Sequence, residues 1–249
     1  MSARASSGAS AHEEVIVAAD ADEHAALACE LMARAIHAAA TQRGVARIAL
    51  SGGTTPAEAY RRLAALSLPW EATEWFWVDE RAVPPDSPRS NYRAACADLG
   101  IPSAAVPPER VHRMEADAPD LEAAAARYEA LLRRSFGVAS AVAFDVMTLG
   151  VGEDGHTASL FPGMGVVGVR DRLVLAVPAQ PAKSLEARLT LTAPVIQEAR
   201  LLLVLSRGAS KRAVVDAARA GGDEEEIPSR LVKQARGELV WLLDREAAG

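Results

Sequence analysis

Phe144-Asp145-Val146-Met147-Thr148-Leu149-Gly150-Val151-Gly152-Glu153-Asp154-Gly155-His156-Thr157-Ala158-Ser159-Leu160-Phe161-Pro162-Gly163 decides how this chain is read. Its first six residues are mostly apolar and turn-forming glycines follow at once, the pattern of a buried strand that stops at a loop. The loop then lies at the carboxyl end of that strand, where open α/β sheets bind their ligands. Its glycines let a small molecule approach the backbone closely. His156, set beside Glu153 and Asp154, is a proton-exchanging group, which makes this a candidate catalytic loop.

Outward from this stretch, apolar strand candidates fall at 15–17, 48–50, 75–78, 145–149, 173–177, 201–205 and 239–243. Continuous rather than alternating apolar character predicts strands covered on both faces, hence a mainly parallel sheet. The alternating Arg188-Leu189-Thr190-Leu191-Thr192 instead suggests a strand at the edge or one bordering the site. Helical spacing of apolar residues, in alanine-rich surroundings, marks 22–43, 56–66, 91–99, 119–136, 211–220 and 229–236. The alternation predicts a three-layer αβα, doubly wound, Rossmann-like fold. No linker-like stretch divides it, so 12–249 reads as one domain behind a small, polar tail at 1–11 that is expected to be disordered.

The chain has 249 residues, half of them hydrophobic, with a net charge of −6. No run reaches the ~20 apolar residues that span a bilayer. Acidic balance and the lack of a basic stripe count against nucleic acid as partner. Cys29 and Cys96 lie in separate helix-like runs, which fits a reducing compartment and a cytoplasmic protein. Monomer or weak homo-oligomer is the expected state.

Three further loops belong to the same sheet edge. Ser51-Gly52-Gly53-Thr54-Thr55-Pro56-Ala57-Glu58 follows a strand; Thr55 suits the N-cap, Pro56 the first helical position, and Glu58 would complete a capping box. Backbone N–H groups ahead of that cap form either an anion site or simply a tight turn. Asp79-Glu80-Arg81 follows the next strand and leads into a proline-rich segment, with Arg81 open to a phosphate or to a neighbouring carboxylate. After the strand at 201–205, Lys211 and Arg212 enter a helix against its macrodipole, a local violation of the kind that concentrates at functional sites. One bound phosphate would account for all three loops.

Gly150-Val151-Gly152-Glu153-Asp154-Gly155 matches the dinucleotide pattern G-x-G-x-x-G. Glu153 and Asp154 would repel a pyrophosphate, and Phe161-Pro162-Gly163 stops a following helix within about two turns, so nicotinamide is disfavoured. Neither a nucleophile elbow nor a zinc-ligand spacing is present. His156 remains, as a general base or acid, with a plain capped turn as the alternative.

Ser51 to Pro56, Asp79-Glu80-Arg81 with Val83-Pro84 and Ser90-Asn91, the Gly150 to Pro162 loop, and Arg188 to Thr192 together resemble, in order, the 6-phosphogluconolactonases. The resemblance implies hydrolysis of 6-phospho-D-glucono-1,5-lactone without metal or cofactor. It implies His156 as base with Asp154 beside it, and Ser51, Gly52, Gly53, Thr54, Asp79, Arg81, Asn91, Gly152, Arg188 and Lys211 around the substrate. Two segments depart from the pattern: 181–188, and the turn before Lys211, which is less glycine-rich. The fold also resembles that of glucosamine-6-phosphate deaminases. Those place a glutamate five residues after the histidine, where this chain has Phe161. A sugar-phosphate sensor is a third reading, disfavoured by the lack of a basic DNA-binding element.

Overall fold

The computed structural model describes residues 12–137, 141–180 and 185–249. The tail at 1–11 and residues 181–184 of the divergent segment lie outside the described residues.

In chain order the elements are β1 (Glu13–Ala18), α1 (Ala21–Arg43), β2 (Ala46–Leu50), α2 (Ala57–Ala64), β3 (Thr73–Trp77), β4 (Asp79–Arg81), α3 (Asn91–Leu99) and α4 (Leu121–Phe136). They continue as β5 (Val146–Leu149), β6 (Val174–Val177), β7 (Arg188–Leu191), α5 (Ala193–Gln197), β8 (Leu201–Ser206), α6 (Arg212–Ala220), β9 (Glu238–Asp244) and α7 (Arg245–Ala248). A six-stranded parallel sheet runs β1-β9-β8-β5-β2-β3, with Ile48 opposite Val146 and Met147 opposite Leu202 at its centre. Every residue of β5 and β8 is buried, so residues pointing to either face are covered, as the apolar runs require. Burying each leucine of β8 contributes about 1.5–3 kcal/mol before conformational entropy is set against it. Among the described residues no helix is long and apolar enough to cross a membrane.

Strand order gives the sheet its crevice. From β2 the chain steps outward to β3, whereas from β5 it steps the other way to β8 and β9. The loops after β2 and β5 therefore diverge, and the gap between them is where ligands enter such sheets.

Three expectations need correction. The segment at 173–177 is not in the parallel sheet: β6 pairs antiparallel with β7, which pairs antiparallel with β4, making a separate sheet of order β4-β7-β6. Its short apolar run cannot distinguish a doubly covered parallel strand from one packed on the core by one face, and Leu175 and Ala176 are only half-buried. Asp79 to Arg81 is a strand rather than a loop. Val78 joins the two sheets, donating its N–H to Leu50 (3.0 Å) and accepting from Leu191 (2.8 Å). Finally, β1 is an edge strand, with Val15 and Val17 37% and 49% exposed instead of covered.

Candidate active site

The loop after β2 is tied down from two directions. Ser51 donates its N–H (2.9 Å) and its hydroxyl (3.2 Å) to Thr148 Oγ1 on β5. Tyr60 of α2 donates its hydroxyl to the Ser51 carbonyl (3.0 Å) and lies 2.8 Å from the same threonine oxygen. Burial pushes the Tyr60 phenol up to about 12, so it remains a neutral donor. At Gly52 a Cβ would stand 2.0 Å from Asn91 Oδ1, so only glycine lets the two loops meet. The expected capping box does not form. Pro56 occupies the cap position without a side-chain bond, and Glu58 instead pairs with Arg61 (2.8 Å) and Arg62 (3.2 Å) one turn along. Those guanidiniums are stronger partners for the carboxylate than a backbone N–H.

Beyond Val78, the buried residues Asp79 and Glu80 organise the rim. Glu80 accepts from the N–H groups of Arg81, Asn91 and Tyr92 and from the Ser90 hydroxyl, all at 2.8–2.9 Å. Burial nevertheless pushes its carboxyl up, against the pull of those bonds. Asp79 accepts from the Ser159 hydroxyl (2.5 Å) and from Asn91 Nδ2 (3.2 Å), and faces Arg188 Nη1 at 3.7 Å. Arg188 is therefore oriented before any ligand arrives. Burial lowers its pKa, and the Asp79 charge opposes that shift.

The histidine loop contains no helix; Gly152 N–H closes onto the His156 carbonyl (2.8 Å) and Gly155 N–H onto that of Gly152 (2.9 Å). His156 Nδ1 lies 2.5 Å from Asp154 Oδ1, and the same oxygen accepts the His156 N–H at 3.1 Å. That contact holds the Asp154 carboxyl down at about 2, where only the ionised, acceptor-only form is populated near neutrality. Facing an ionised carboxylate, Nδ1 is the donor of this pair, and Nε2 is the ring nitrogen not engaged by it. A Cβ on Gly152 would be 2.1 Å from His156 Nδ1, which explains a glycine here without any dinucleotide. Phe161 packs on the imidazole with ring centroids 4.6 Å apart and lies under Arg188 at 5.4 Å. Five residues after His156 there is thus a buried phenyl ring and no carboxylate. Ala158 is held at φ 49°, a strained left-handed conformation beside the cleft.

The loops enclose a cleft of two adjoining compartments. One, of about 230 Å³, is lined by Asp79, Arg81, Asn91, Gly152, His156 and Arg188. The other, of about 240 Å³, is lined by Thr54, Thr55, Ser206 and Arg207. Ser51, Gly52, Gly53 and Lys211 border both. The structure thus brings to one place every residue that the resemblance sets around the substrate, with Asp154 just behind His156. Arg212, noted with Lys211, lies instead against Gly249. Sequence reading missed Thr148 and Tyr60, Ser159, and the backing of the histidine loop by Ile227 and Ser229, whose N–H reaches the Gly155 carbonyl at 2.9 Å. Ser159 lies inside the matching Gly150 to Pro162 loop, but its partner Asp79 is not readable there; the others carry no motif signal, each being a common residue whose role arises from tertiary contact.

A doubly wound α/β sheet whose switch-point cleft combines a glycine loop, a carboxylate-oriented histidine and several cations has the layout of a protein that acts on small anionic molecules. Residues 19–241 match the model of the glucosamine-6-phosphate isomerases/6-phosphogluconolactonase family, and the chain belongs to that family. It is 42% identical to a 6-phosphogluconolactonase of Synechocystis over 84% of this chain and 86% of that protein. A solved 6-phosphogluconolactonase from Trypanosoma brucei superposes with a TM-score of 0.82 at 32% identity, covering 96% of this chain and 98% of the other. That from Trypanosoma cruzi gives 0.84 at 29% identity, covering 97% of each.

Proposed function

We propose that this protein hydrolyses 6-phospho-D-glucono-1,5-lactone to 6-phosphogluconate, the second step of the oxidative pentose phosphate route. The observation that carries the mechanism is the 2.5 Å contact between His156 Nδ1 and Asp154 at the wall of the cleft, which supports Nε2 as the base. Family membership and the names of the relatives support the substrate.

His156 Nε2 takes a proton from water as the oxygen attacks C1, and Asp154 stabilises the resulting imidazolium. The carbonyl electrons move onto its oxygen. Gly152 and Gly155 have already committed their N–H groups within the loop. Arg81 commits only Nη1, to the Arg89 carbonyl at 2.7 Å, which favours its remaining N–H groups as donors to the oxyanion. Collapse breaks the bond from C1 to the ring oxygen, and the imidazolium returns its proton to that oxygen. The carboxylic acid formed then ionises and releases a proton to solvent. A lactone is electrophilic enough for this apparatus to suffice without a covalent intermediate. Two free cysteines, Cys29 buried and Cys96 with its thiol pushed by burial up to about 12, suit a reducing, cytoplasmic setting.

The test is proton release on adding freshly prepared lactone. The wild-type protein is expected to accelerate it, and His156→Ala to lower kcat by about 10²–10⁴ with KM little changed. Full turnover in that variant would remove His156 from the chemistry.

A further inference from the structure

The cations of the cleft differ in what the protein itself sets against them. In the compartment around His156, Arg188 faces the Asp79 carboxylate, although its Nε is buried without an acceptor, and Arg81 gives one N–H to a carbonyl and keeps its charge. The guanidinium of Arg207, in the other compartment, and the ammonium of Lys211, on the border of both, form no hydrogen bond or ion pair with any described residue. Arg207 Nε is buried, removed from water and without an acceptor. A buried donor on a charged group costs more to leave unmet than an ordinary one, so the position calls for an anionic acceptor from outside the chain. Asp244, one residue past the Leu243 that pairs with Ser206, is committed elsewhere: both its oxygens accept the Gly208 N–H at 3.0 Å, and it caps α7. Those bonds fix the turn at Gly208, φ 93°, that carries Arg207 on one side and Lys211 on the other.

We infer that Arg207 is a specificity-determining residue that, with Lys211 and the Ser51 to Thr54 loop, binds the phosphate dianion of the substrate. This inference rests on the sugar-phosphate lactone reading and adds to it a direction. The phosphoryl group occupies the compartment lined by Arg207, and the ester carbon lies in the one lined by His156. Two unneutralised cations match a dianion in charge, and the guanidinium supplies a forked donor where Lys211 supplies a point charge. The turn around Arg207 is also the segment that departs from the more glycine-rich family pattern, so the contact belongs to this chain's own sequence.

Calorimetric titration with inorganic phosphate, on the full chain, reads the contact without any chemistry. Arg207→Ala is expected to weaken phosphate binding by about 10- to 100-fold, the loss of one charge-assisted contact, with Arg207→Lys recovering part of it. The ratio of kcat/KM for the phosphorylated lactone to that for unphosphorylated glucono-1,5-lactone is expected to fall by a similar factor. Unaltered phosphate affinity in a folded Arg207→Ala protein would overturn the inference. So would equal losses on the two lactones, the signature of a purely structural arginine. If wild type binds phosphate through Arg207 but hydrolyses neither lactone, the functional reading fails while the phosphate contact stands.

Discussion

The pairing of His156 with Asp154 has a consequence for titration that a looser arrangement would lack. The Asp154 carboxyl falls from its ordinary 3.8 to about 2, chiefly through the hydrogen bond to the imidazole. Because the folded value lies below the unfolded one, the stabilisation is complete above about pH 4 and is lost as pH falls toward 2. Half the carboxylate surface is exposed, so the effect on global stability is small and the direct observable is the titration itself. Carbon-detected NMR of Asp154 is expected to give a midpoint near 2 in the wild type, moving up toward 3.8 in His156→Ala. A midpoint that stays near 2 in the variant would assign the shift to the loop backbone and not to the ring. At this scale the sequence was unusually informative, because glycine, aspartate and histidine at fixed spacing carry chemistry that few other residues can replace. Its silence about Ser159 and Thr148 has an equally physical origin. A hydroxyl gains a role only when folding places an acceptor or donor beside it, and the partners here lie 80 and 97 positions away.

Strands and helices were legible wherever one rule dominated. The apolar runs of β2, β3, β5, β8 and β9 and the capped helix α1, with Asp20 accepting from two N–H groups at its start and Gly44 in the left-handed conformation at its end, follow from local pattern. Assignment of β6 to the wrong sheet and the reading of β4 as loop arose because pairing partners are non-local: β4 is three residues long and exists only through Thr190, Leu189 and Arg188. The capping box at Glu58 failed for a related reason, since two arginines compete for the same carboxylate. What couples the elements around the cleft is Thr148, whose hydroxyl joins β5 to the loop after β2 and to α2. Thr148→Val, nearly isosteric, leaves the Ser51 N–H and hydroxyl without their acceptor. It is expected to cost about 1–3 kcal/mol in a urea titration and to raise KM as the anion loop loosens. Thr148→Ser keeps the oxygen and is expected to recover most of both. Equal losses in the two variants would assign the effect to methyl packing.

For the molecule as a whole, the question is whether the small antiparallel sheet is an independent unit or part of the same cooperative structure. Val78 bonds to a strand of each sheet, and Leu189, Leu191 and Val174 belong to one continuous core with Trp77, Met147 and Leu203. The proposed site requires that continuity: Arg188 and Asp79 come from the small sheet, His156 and Ser51 from loops of the large one, and the cleft exists only while the two are docked. Three of the four tryptophans, Trp75, Trp77 and Trp241, are fully buried in the parallel sheet, whereas far-ultraviolet circular dichroism reports both sheets and all helices. If the sheets share one core, thermal or urea transitions followed by fluorescence and by dichroism are expected to coincide, with loss of activity at the same midpoint. If the small sheet melts first, dichroism and activity fall before the tryptophan signal changes. That separation would mean that the arginine-bearing wall of the cleft opens while the histidine loop remains folded.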